Sequence, residues 1–387
     1  MTTPVHNTPL RRNGLPMVLL APFQFIFGLI YSWGAISPAI HAQSGWSQAT
    51  LDLTFSLTPL ALLPAVVSAG HGLHRMSPKT MLAVALGCFT IGGGTGLAFA
   101  TPVPFMLGYG ILALGIGAGL STAACIAIVA RLYPEQQGAP GAALLALYGV
   151  SSVVSAPLFE WLNGHFGWRT ALTGLLGAYA FLGWSAWAGL PDIPLQKSAG
   201  ATRSGLWTTL SHRPLRQALL LILLAAPLGS AAFATTGHLV HELGCGTAFS
   251  LAAVTSMAVG NGLGRLGFGV LADLRSAHFA RNTVLTLNAL AAALLLAILH
   301  GADERVFTPF PLLIGLAFGG MAGKLPALAA HVSDDNCAAS AFGLLFGTFA
   351  LASFLGPLVC ATLGMYAALH GFAISALLAA LLARIRW

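Results

Sequence analysis

Residues 246–272 read GTAFSLAAVTSMAVGNGLGRLGFGVLA, and Arg265 is the single charged side chain in this stretch. A membrane-spanning helix needs about 20 predominantly apolar residues, so the stretch is long enough to cross a bilayer. Lys324 interrupts a second apolar stretch, residues 309–332, in the same way. A cation at membrane depth is costly and is therefore by default a functional residue. The two cations predict a membrane protein with a binding site for an anion.

The composition of the whole chain agrees with a membrane location. Of its 387 residues, 57% are hydrophobic and 7% are charged, and the mean hydropathy is +0.82. These values argue against a soluble globule and predict an all-α polytopic membrane protein. Twelve apolar runs, which leave no room for a soluble domain, are candidate transmembrane helices: 14–38, 48–70, 79–99, 104–132, 140–163, 169–190, 216–240, 246–272, 281–300, 309–332, 339–364 and 366–384.

The net charge of +7 is explained by membrane topology rather than by a polymeric partner. If the N-terminus is cytoplasmic, thirteen Lys and Arg residues lie on the cytoplasmic side, whereas Arg169 and Arg305 lie outside. Short cytoplasmic loops are enriched in cations, so this division places both termini in the cytoplasm. We therefore expect an integral protein of a bacterial inner (plasma) membrane that contacts anionic membrane lipid and binds no nucleic acid.

Side chains that often mark catalytic or redox sites are scattered along the chain. The five cysteines form no Cys-x-x-Cys pair and the twelve histidines are dispersed, so no disulfide framework, metal site or haem site is indicated. No Gly-rich phosphate loop occurs either. The sequence therefore predicts no cofactor and no enzymatic activity. Arg11-Arg12 precedes a long apolar run without an obvious cleavage site, which predicts an uncleaved first helix.

The chain repeats one pattern in two halves. Arg131 closes span four and His331 closes span ten, 200 residues later, and Pro157 and Pro357 have the same offset in spans five and eleven. A duplicated six-helix unit is typical of two-bundle secondary transporters. The longest polar stretch separates spans six and seven. The predicted units are a first six-helix bundle over residues 1–190, a cytoplasmic linker over 191–215 and a second six-helix bundle over 216–387.

Seven short motifs are spread over nearly the whole chain: Tyr31-Ser32-Trp33-Gly34, Gly45-Trp46-Ser47, Phe55-Ser56-Leu57, the loop from Gly70 to Lys79 with Arg75, Arg131-Leu-Tyr-Pro134, Gly167-Trp168-Arg169, and Asn261-Gly-Leu-Gly264-Arg265 leading to Asp273. These motifs resemble those of the major facilitator superfamily and, within it, of the oxalate/formate antiporter and monocarboxylate transporter branch. The resemblance implies a transporter with a substrate site between two bundles that rock against each other.

The chain departs from these relatives at several positions. His74 lies where the superfamily loop usually has Asp, Asn261 where animal-type monocarboxylate porters tend to carry an acid, and Ala35 where those porters place a lysine. Span eleven has no cation, whereas the oxalate exchanger type has a lysine there. The resemblance therefore implies a carboxylate-class transporter and fixes neither the substrate nor the coupling chemistry.

The two cations are the main candidates for substrate binding. Arg265 and Lys324 lie roughly 9 Å and 6 Å inward of the centres of spans eight and ten, counted at helical rise. A guanidinium binds a carboxylate with two parallel hydrogen bonds, and an ammonium adds a point charge. The alternative is that both side chains snorkel to the cytoplasmic headgroups. Two cations in one site fit a dicarboxylate, whereas Arg265 alone fits a monocarboxylate.

Several polar and aromatic side chains are supporting candidates. In span one, the Tyr31 hydroxyl is a candidate polar group of the site and the Trp33 ring a candidate apolar wall. The alternative is that both pack against other helices, as aromatic residues at helical spacing usually do. Asn261 lies four residues before Arg265, on the same helix face, and is placed to orient it. Weaker candidates, which more often bond neighbouring helices, are Ser121, Thr122, Tyr148 and Asn288.

Coupling to protons has no clear carrier in the sequence. No Asp or Glu lies deep in any predicted span, although proton-coupled porters commonly use such a group. Asp52, near the outer end of span two, fits a helix N-terminal role, and His238, near the outer end of span seven, fits an interfacial position. We therefore expect substrate exchange or a proton carried with the anion.

The cytoplasmic loops are the predicted gate, with Arg75, Arg131 and Asp273 as its charged residues. Asp273 is expected near the start of span five, around Gly138, where free backbone N–H groups attract an anion. His74 cannot act in this way in the other half.

The sequence thus predicts a monomeric secondary active transporter of a small organic anion, a mono- or dicarboxylate, that works by alternating access as an exchanger or a proton/anion symporter. A rival interpretation is a facilitator-type exporter of drugs or neutral metabolites, which leaves the two cations without a counter-ion. A membrane-embedded enzyme and a non-transporting receptor or scaffold are two further rival interpretations.

Overall fold

The computed structural model describes residues 15–73, 75–133, 138–192, 206–244, 247–301, 307–333 and 338–384. These ranges contain helices and turns and no strand, which confirms the all-α prediction. The helical segments of the first half are α1 (Leu15–Phe27), a 3₁₀ turn (Gly28–Ser32), α2 (Trp33–Ser44), α3 (Gln48–Gly72), α4 (Pro78–Ala98), α5 (Pro102–Phe105), a π-helical stretch (Met106–Ile116), α6 (Gly117–Leu132), α7 (Gly138–Phe166) and α8 (Trp168–Gly189).

The second half begins after a short helix that lies inside the predicted linker. This short helix is α9 (Leu206–Ser211), and the segments of the second half are α10 (Arg213–Glu242), α11 (Thr247–Leu274), α12 (Ala277–Leu299), α13 (Pro309–Gly323), α14 (Leu325–Val332), α15 (Ala338–Leu363) and α16 (Met365–Leu382). Residues 193–205 of the linker lie outside the described part of the chain, so the division into two bundles and a linker stays a prediction. We call the end of the molecule where α8 stops and α10 starts the linker end, and the opposite end the far end.

Twelve segments of the described chain are long enough to span a membrane. Eight are continuous and strongly apolar, and two more are bent pairs, α1 with α2 and α13 with α14. The remaining two, α8 and α11, have 22 and 28 residues and carry more polar side chains. This arrangement agrees with the twelve predicted spans.

Span one, predicted over 14–38, is bent in the structure. The bend between α1 and α2 is 54°, and the 3₁₀ turn of Gly28–Ser32 forms the break. Gly28 lies directly against α7, because a Cβ on Gly28 would be 2.5 Å from the Tyr148 carbonyl oxygen. The turn therefore brings Tyr31 to the interface between the two halves.

Span ten is also bent, by 43°, at Lys324 between α13 and α14. Pro326 lies in the first turn of α14, and its ring cannot continue the α13 hydrogen-bond pattern. The single helix predicted over 309–332 is therefore two helices.

A seam of glycines holds α11 against α13. Gly315, Gly319 and Gly323 of α13 lie against the carbonyl groups of Met257, Asn261 and Arg265 on α11, and a Cβ on any of the three glycines would overlap that carbonyl oxygen. Small residues at a spacing of four allow two membrane helices to approach this closely. The seam occupies one face of α11 and leaves the Arg265 side chain to extend toward the first half.

The two halves meet at the linker end. A Cβ on Gly141 of α7 would lie 2.9 Å from the Pro326 ring of α14, and one on Gly343 of α15 would lie 3.1 Å from the Val66 carbonyl oxygen of α3. Further along α7, Gly149 faces Gly262 of α11. The structure is therefore closed at the linker end.

Beyond Gly149 the halves separate toward the far end. Val153 lies one turn further on the same face of α7 and is 63% exposed, whereas Leu144 and Leu145 in the linker half are buried. Glu160, two turns beyond Val153 on this face, is also exposed. A carboxylate on this face indicates contact with water, so the interface opens as a cleft toward the far end.

Candidate substrate site between the two halves

Arg265 is a large side chain buried between the two halves, with 2% of its surface exposed. Its Nε donates to Asn261 Oδ1 at 3.2 Å, its Nη1 to the Leu145 carbonyl oxygen at 3.1 Å and its Nη2 to the Tyr31 hydroxyl at 2.7 Å. These bonds use three of the five guanidinium N–H groups. One N–H on each terminal nitrogen is left for another acceptor.

Two aromatic rings flank the guanidinium. The Arg265 Cζ atom lies 5.5 Å from the ring centroid of Tyr31 and 5.6 Å from that of Tyr148. The two rings pack edge to face, 6.4 Å apart. The electron-rich ring faces attract a cation, and this attraction offsets part of the cost of removing Arg265 from water.

No carboxylate contacts Arg265 among the residues that the structure describes. Its three hydrogen-bond acceptors are an amide oxygen, a carbonyl oxygen and a hydroxyl, and all three are neutral. A buried cation is expected to pair with an anion, so the positive charge of this site has no protein counter-ion in the described ranges.

A chain of polar groups continues from the site into the first half. The Tyr148 hydroxyl and Thr122 Oγ1 are 2.7 Å apart, and Thr122 Oγ1 donates to Gln24 Oε1 at 3.4 Å. Gln24 is fully buried, and its Nε2 has no hydrogen-bond partner among the described residues. Gln24 was not among the predicted site residues, although an amide inside an apolar run of span one was a usable signal. The backbone carbonyl of Leu145 left no signal in the sequence.

The predicted partners of Arg265 in the first and eighth spans are in place. Tyr31 and Asn261 both accept hydrogen bonds from its guanidinium. Tyr148, a weaker candidate from the sequence, lies beside the guanidinium itself. Ser121 and Asn288 bond neighbouring helices instead, through the carbonyl oxygens of Phe23 and Ala225.

Trp33 is not among the hydrogen-bond and ring partners of Arg265. Its ring stacks with Phe55, Phe105 and Tyr109 at centroid distances of 6.2 to 6.5 Å, all within the first half. Trp33 thus belongs to an aromatic cluster, and its role as a wall of the substrate site stays a prediction.

Lys324 is buried, with 1% of its surface exposed, so it does not snorkel to the headgroups. It lines a cavity of about 10 Å³ together with Arg281 and residues of α10 and α12, and Arg265 is not part of that cavity. A space of this size holds about one water molecule. Lys324 therefore lines a space that does not include Arg265, and its role in substrate binding stays a prediction.

Asp273 lies where the sequence places it, at the start of α7. Its Oδ2 accepts a hydrogen bond of 2.6 Å from the Ala139 backbone N–H, which is one of the free donors of that helix terminus.

Arg131 is half-buried near the end of α6, and Arg75 is exposed in the turn after α3, where its backbone N–H donates to the Gly72 carbonyl oxygen. The gating roles of these three residues stay predictions. His74 and the side chains of Asp52 and His238 lie outside the described part of the structure.

Two sets of membrane helices that meet around a buried ionisable site form the architecture of a secondary transporter. The chain belongs to the Major Facilitator Superfamily, whose family model matches residues 18–357. It is therefore an integral membrane transporter, and members of this superfamily are generally not enzymes. The oxalate/formate and monocarboxylate branch is a finer assignment that stays a prediction.

Solved structures of this superfamily share the fold. The transporter FucP in the outward conformation superposes with a TM-score of 0.72 at 15% identity, over 95% of this chain and 98% of that chain. The human organic anion transporter MFSD10 (TETRAN) superposes with a TM-score of 0.72 at 18% identity, over 97% of this chain and all of the other. The proton:xylose symporter XylE gives a TM-score of 0.68 at 16% identity, over 95% and 94% of the two chains.

Among proteins compared by sequence, the chain is similar to the putative niacin/nicotinamide transporter NiaP of Bacillus subtilis. The two are 24% identical over 172 residues, which is 44% of this chain and 42% of NiaP. The similarity thus spans less than half of either protein.

Proposed function

We propose that this transporter carries a small organic anion by alternating access, as an exchanger or a proton/anion symporter. The observation that supports the proposal most is the buried guanidinium of Arg265 between the two halves. Among the described residues, all of its hydrogen-bond partners are neutral. A carboxylate substrate supplies the missing counter-charge. The charge of the protein and that of the substrate then offset each other's desolvation.

The geometry of Arg265 suits a carboxylate. One N–H group on each terminal nitrogen is unused, and a guanidinium binds a carboxylate through such a pair of donors. The hydrogen bonds to Asn261, Leu145 and Tyr31 hold the planar group in one orientation, which lowers the entropy lost when the substrate binds.

Arg265 also connects substrate binding to the movement of the two halves. Its bonds to Leu145 and Tyr31 cross the interface, whereas its bond to Asn261 stays within α11. Rocking of the halves requires that the crossing bonds break or move. A bound carboxylate provides alternative acceptors, so the loaded site changes conformation at lower cost than the empty one.

The separation of Lys324 from this site favours a monocarboxylate over a dicarboxylate. Lys324 lines its own small cavity with Arg281, on the other side of the glycine seam. A single cation in the central site balances a single negative charge. The names of the relatives agree with this class in part, since they include an organic anion transporter and a putative niacin/nicotinamide transporter.

The charged residues of the linker end are proposed as the gate. The bond between Asp273 and the Ala139 N–H joins α11 to α7 in the closed arrangement, and Arg131 and Arg75 lie at the same end of the molecule. We place this end in the cytoplasm, in a bacterial inner membrane, on the basis of the cation distribution, and we expect the transporter to work as a monomer.

Counterflow into proteoliposomes tests the substrate class. Matched pairs that differ in charge alone, such as niacin and nicotinamide or lactate and lactamide, are compared with dicarboxylates, while the internal pH is recorded. The proposal predicts counterflow of monocarboxylates and little counterflow of the neutral partners. Preference for a neutral member of each pair supports a facilitator-type exporter instead. A pH change that follows the anion separates symport from exchange.

A further inference from the structure

A second group of cations lines a cleft at the linker end of the second half. Arg213 and Arg216 from the first turn of α10 and Arg281 from α12 line a cavity of about 250 Å³. The other lining residues are Gln217, Leu220, Leu221, Leu382 and Ala383. Within the described ranges, no Asp or Glu lines this space, so three arginines line it without a carboxylate.

Lys324 lies in a small cavity directly behind this cleft. Arg281 and Leu221 line both the cleft and the small cavity of Lys324, so the two spaces are adjacent. The inner cavity holds about one water and has no room for a ligand. Lys324 is 1% exposed and does not line the cleft itself, so the cations of the cleft are the three arginines.

The cost of this arrangement is lowered by an anion in the cleft. Arg281 is half-buried, and an anion beside it offsets the hydration that its charge has lost. Arg281 donates through Nε and Nη2 to Asn282 Oδ1, at 3.2 Å and 3.1 Å, and this acceptor is neutral. We propose that the cleft binds a phosphate group, which arginine side chains hold through paired, charge-assisted hydrogen bonds.

A phosphate can come from an anionic lipid headgroup or from a free phosphate compound, and the surroundings favour the lipid. The cleft begins at Arg213, where the apolar span of α10 starts, so it lies at the depth of the headgroups. Leu220, which is 50% exposed, and Leu382 form an apolar side that an acyl chain can cover. Basic clefts between membrane helices at this level are suited to anionic headgroups.

This site is separate from the substrate site around Arg265. None of its lining residues contacts Arg265, and it lies within the second half alone. Its occupancy is measured by binding rather than by transport, so the inference does not depend on the identity of the substrate.

Binding to the purified full chain in detergent tests the proposal. Phosphatidylglycerol, phosphatidylcholine and inorganic phosphate are titrated separately while the thermal unfolding midpoint is followed, and retained lipid is counted by native mass spectrometry. We expect phosphatidylglycerol to bind and to raise the midpoint, whereas phosphatidylcholine does not. Stabilisation by millimolar inorganic phosphate to the same extent identifies a free phosphate as the source and still supports the site.

Two matched variants decide whether the cleft is responsible. Arg281→Gln and Arg275→Gln remove the same charge at the same end of the molecule, and Arg275 does not line the cleft. We expect Arg281→Gln to weaken binding of phosphatidylglycerol about fivefold or more, and Arg275→Gln to change it less than twofold. Equal weakening by both variants, or by neither, overturns the proposal. If Arg281→Gln does not fold, Arg213→Gln at the exposed edge of the cleft replaces it, with the same expected loss.

Discussion

Arg265 in the second half donates a hydrogen bond of 2.7 Å to the Tyr31 hydroxyl in the first half. The Tyr31 ring also lies 5.5 Å from the Arg265 Cζ atom, so one side chain provides both an acceptor and a ring face for the same cation. This contact joins the two halves at the position where a buried charge lacks an anionic partner in the described chain. Substrate binding and movement of the halves therefore involve the same atoms.

Replacing Tyr31 by Phe tests this contact. The ring face stays, but the acceptor for Nη2 is lost, and hydrogen bonds to charged groups contribute about 1.5–3 kcal/mol. We expect the initial counterflow rate of the anion divided by its KM to fall about tenfold or more. Tyr109→Phe is the control, because the buried Tyr109 hydroxyl has no hydrogen-bond partner among the described residues. A similar loss in both variants would show that the Tyr31 contact has no special role.

The glycine seam between α11 and α13 predicts a stability difference between two Gly→Ala variants. A Cβ at Gly319 would overlap the Asn261 carbonyl oxygen, whereas nothing lies within 4 Å of a Cβ at Gly267 of α11. Overpacking of a close helix contact costs about 1–3 kcal/mol or more. Gly319→Ala is therefore expected to lower the thermal unfolding midpoint in detergent, and Gly267→Ala to leave it unchanged or raised. An unchanged midpoint in Gly319→Ala would contradict the tight packing of this seam.

Lys324 is expected to be dispensable for substrate affinity. It lines a separate cavity of about 10 Å³ with Arg281, and a buried lysine without a carboxylate partner in the described chain is costly. Lys324→Met should leave KM for a monocarboxylate within about twofold of the wild type, because a neutral side chain of similar length removes a charge that does not face the substrate. A tenfold rise in KM would return Lys324 to the substrate site.

Asp273→Asn is expected to weaken closure at the linker end. The neutral amide is a poorer acceptor for the Ala139 N–H and loses the favourable interaction with the positive end of α7. Leu63 of α3, which lies near Gly347 of α15 at the closed interface, provides a reporter as Leu63→Cys. Labelling by a polar maleimide from the linker side should be faster in the Asp273→Asn background. Equal labelling rates would show that Asp273 does not stabilise the closed arrangement.

The apolar runs of the sequence predicted the helices well, because a bilayer imposes a minimum length on each span. The twelve spans, the place of Asp273 at the start of α7 and the contact of Asn261 with Arg265 could be predicted from the sequence, whereas the contact of Tyr31 with Arg265 joins the two halves and could not. The predictable features depend on the periodicity of single helices and on the order of the spans, which the sequence displays directly.

Trp33 and Lys324 are two predicted site residues that are not among the hydrogen-bond and ring partners of Arg265, and both share one structural feature. Each lies at a helix break, at the 3₁₀ turn of span one and at the junction between α13 and α14. A bend of 54° or 43° rotates the following side chains relative to a straight helix. The sequence shows the position of such a residue along a span, but it does not show the direction of a side chain beyond a bend.

Counterflow by Arg265→Gln is the decisive experiment, because the proposed function requires that the charge of Arg265 binds the substrate anion. The glutamine keeps a polar side chain of partly similar shape and removes the charge, while Arg275→Gln serves as a charge-matched control at an exposed position. With the carboxylate that the wild type transports best, we expect a loss of about 100-fold or more in Arg265→Gln and near wild-type counterflow in Arg275→Gln. Carboxylate counterflow by Arg265→Gln at the wild-type rate and KM would show that this charge does not bind the substrate.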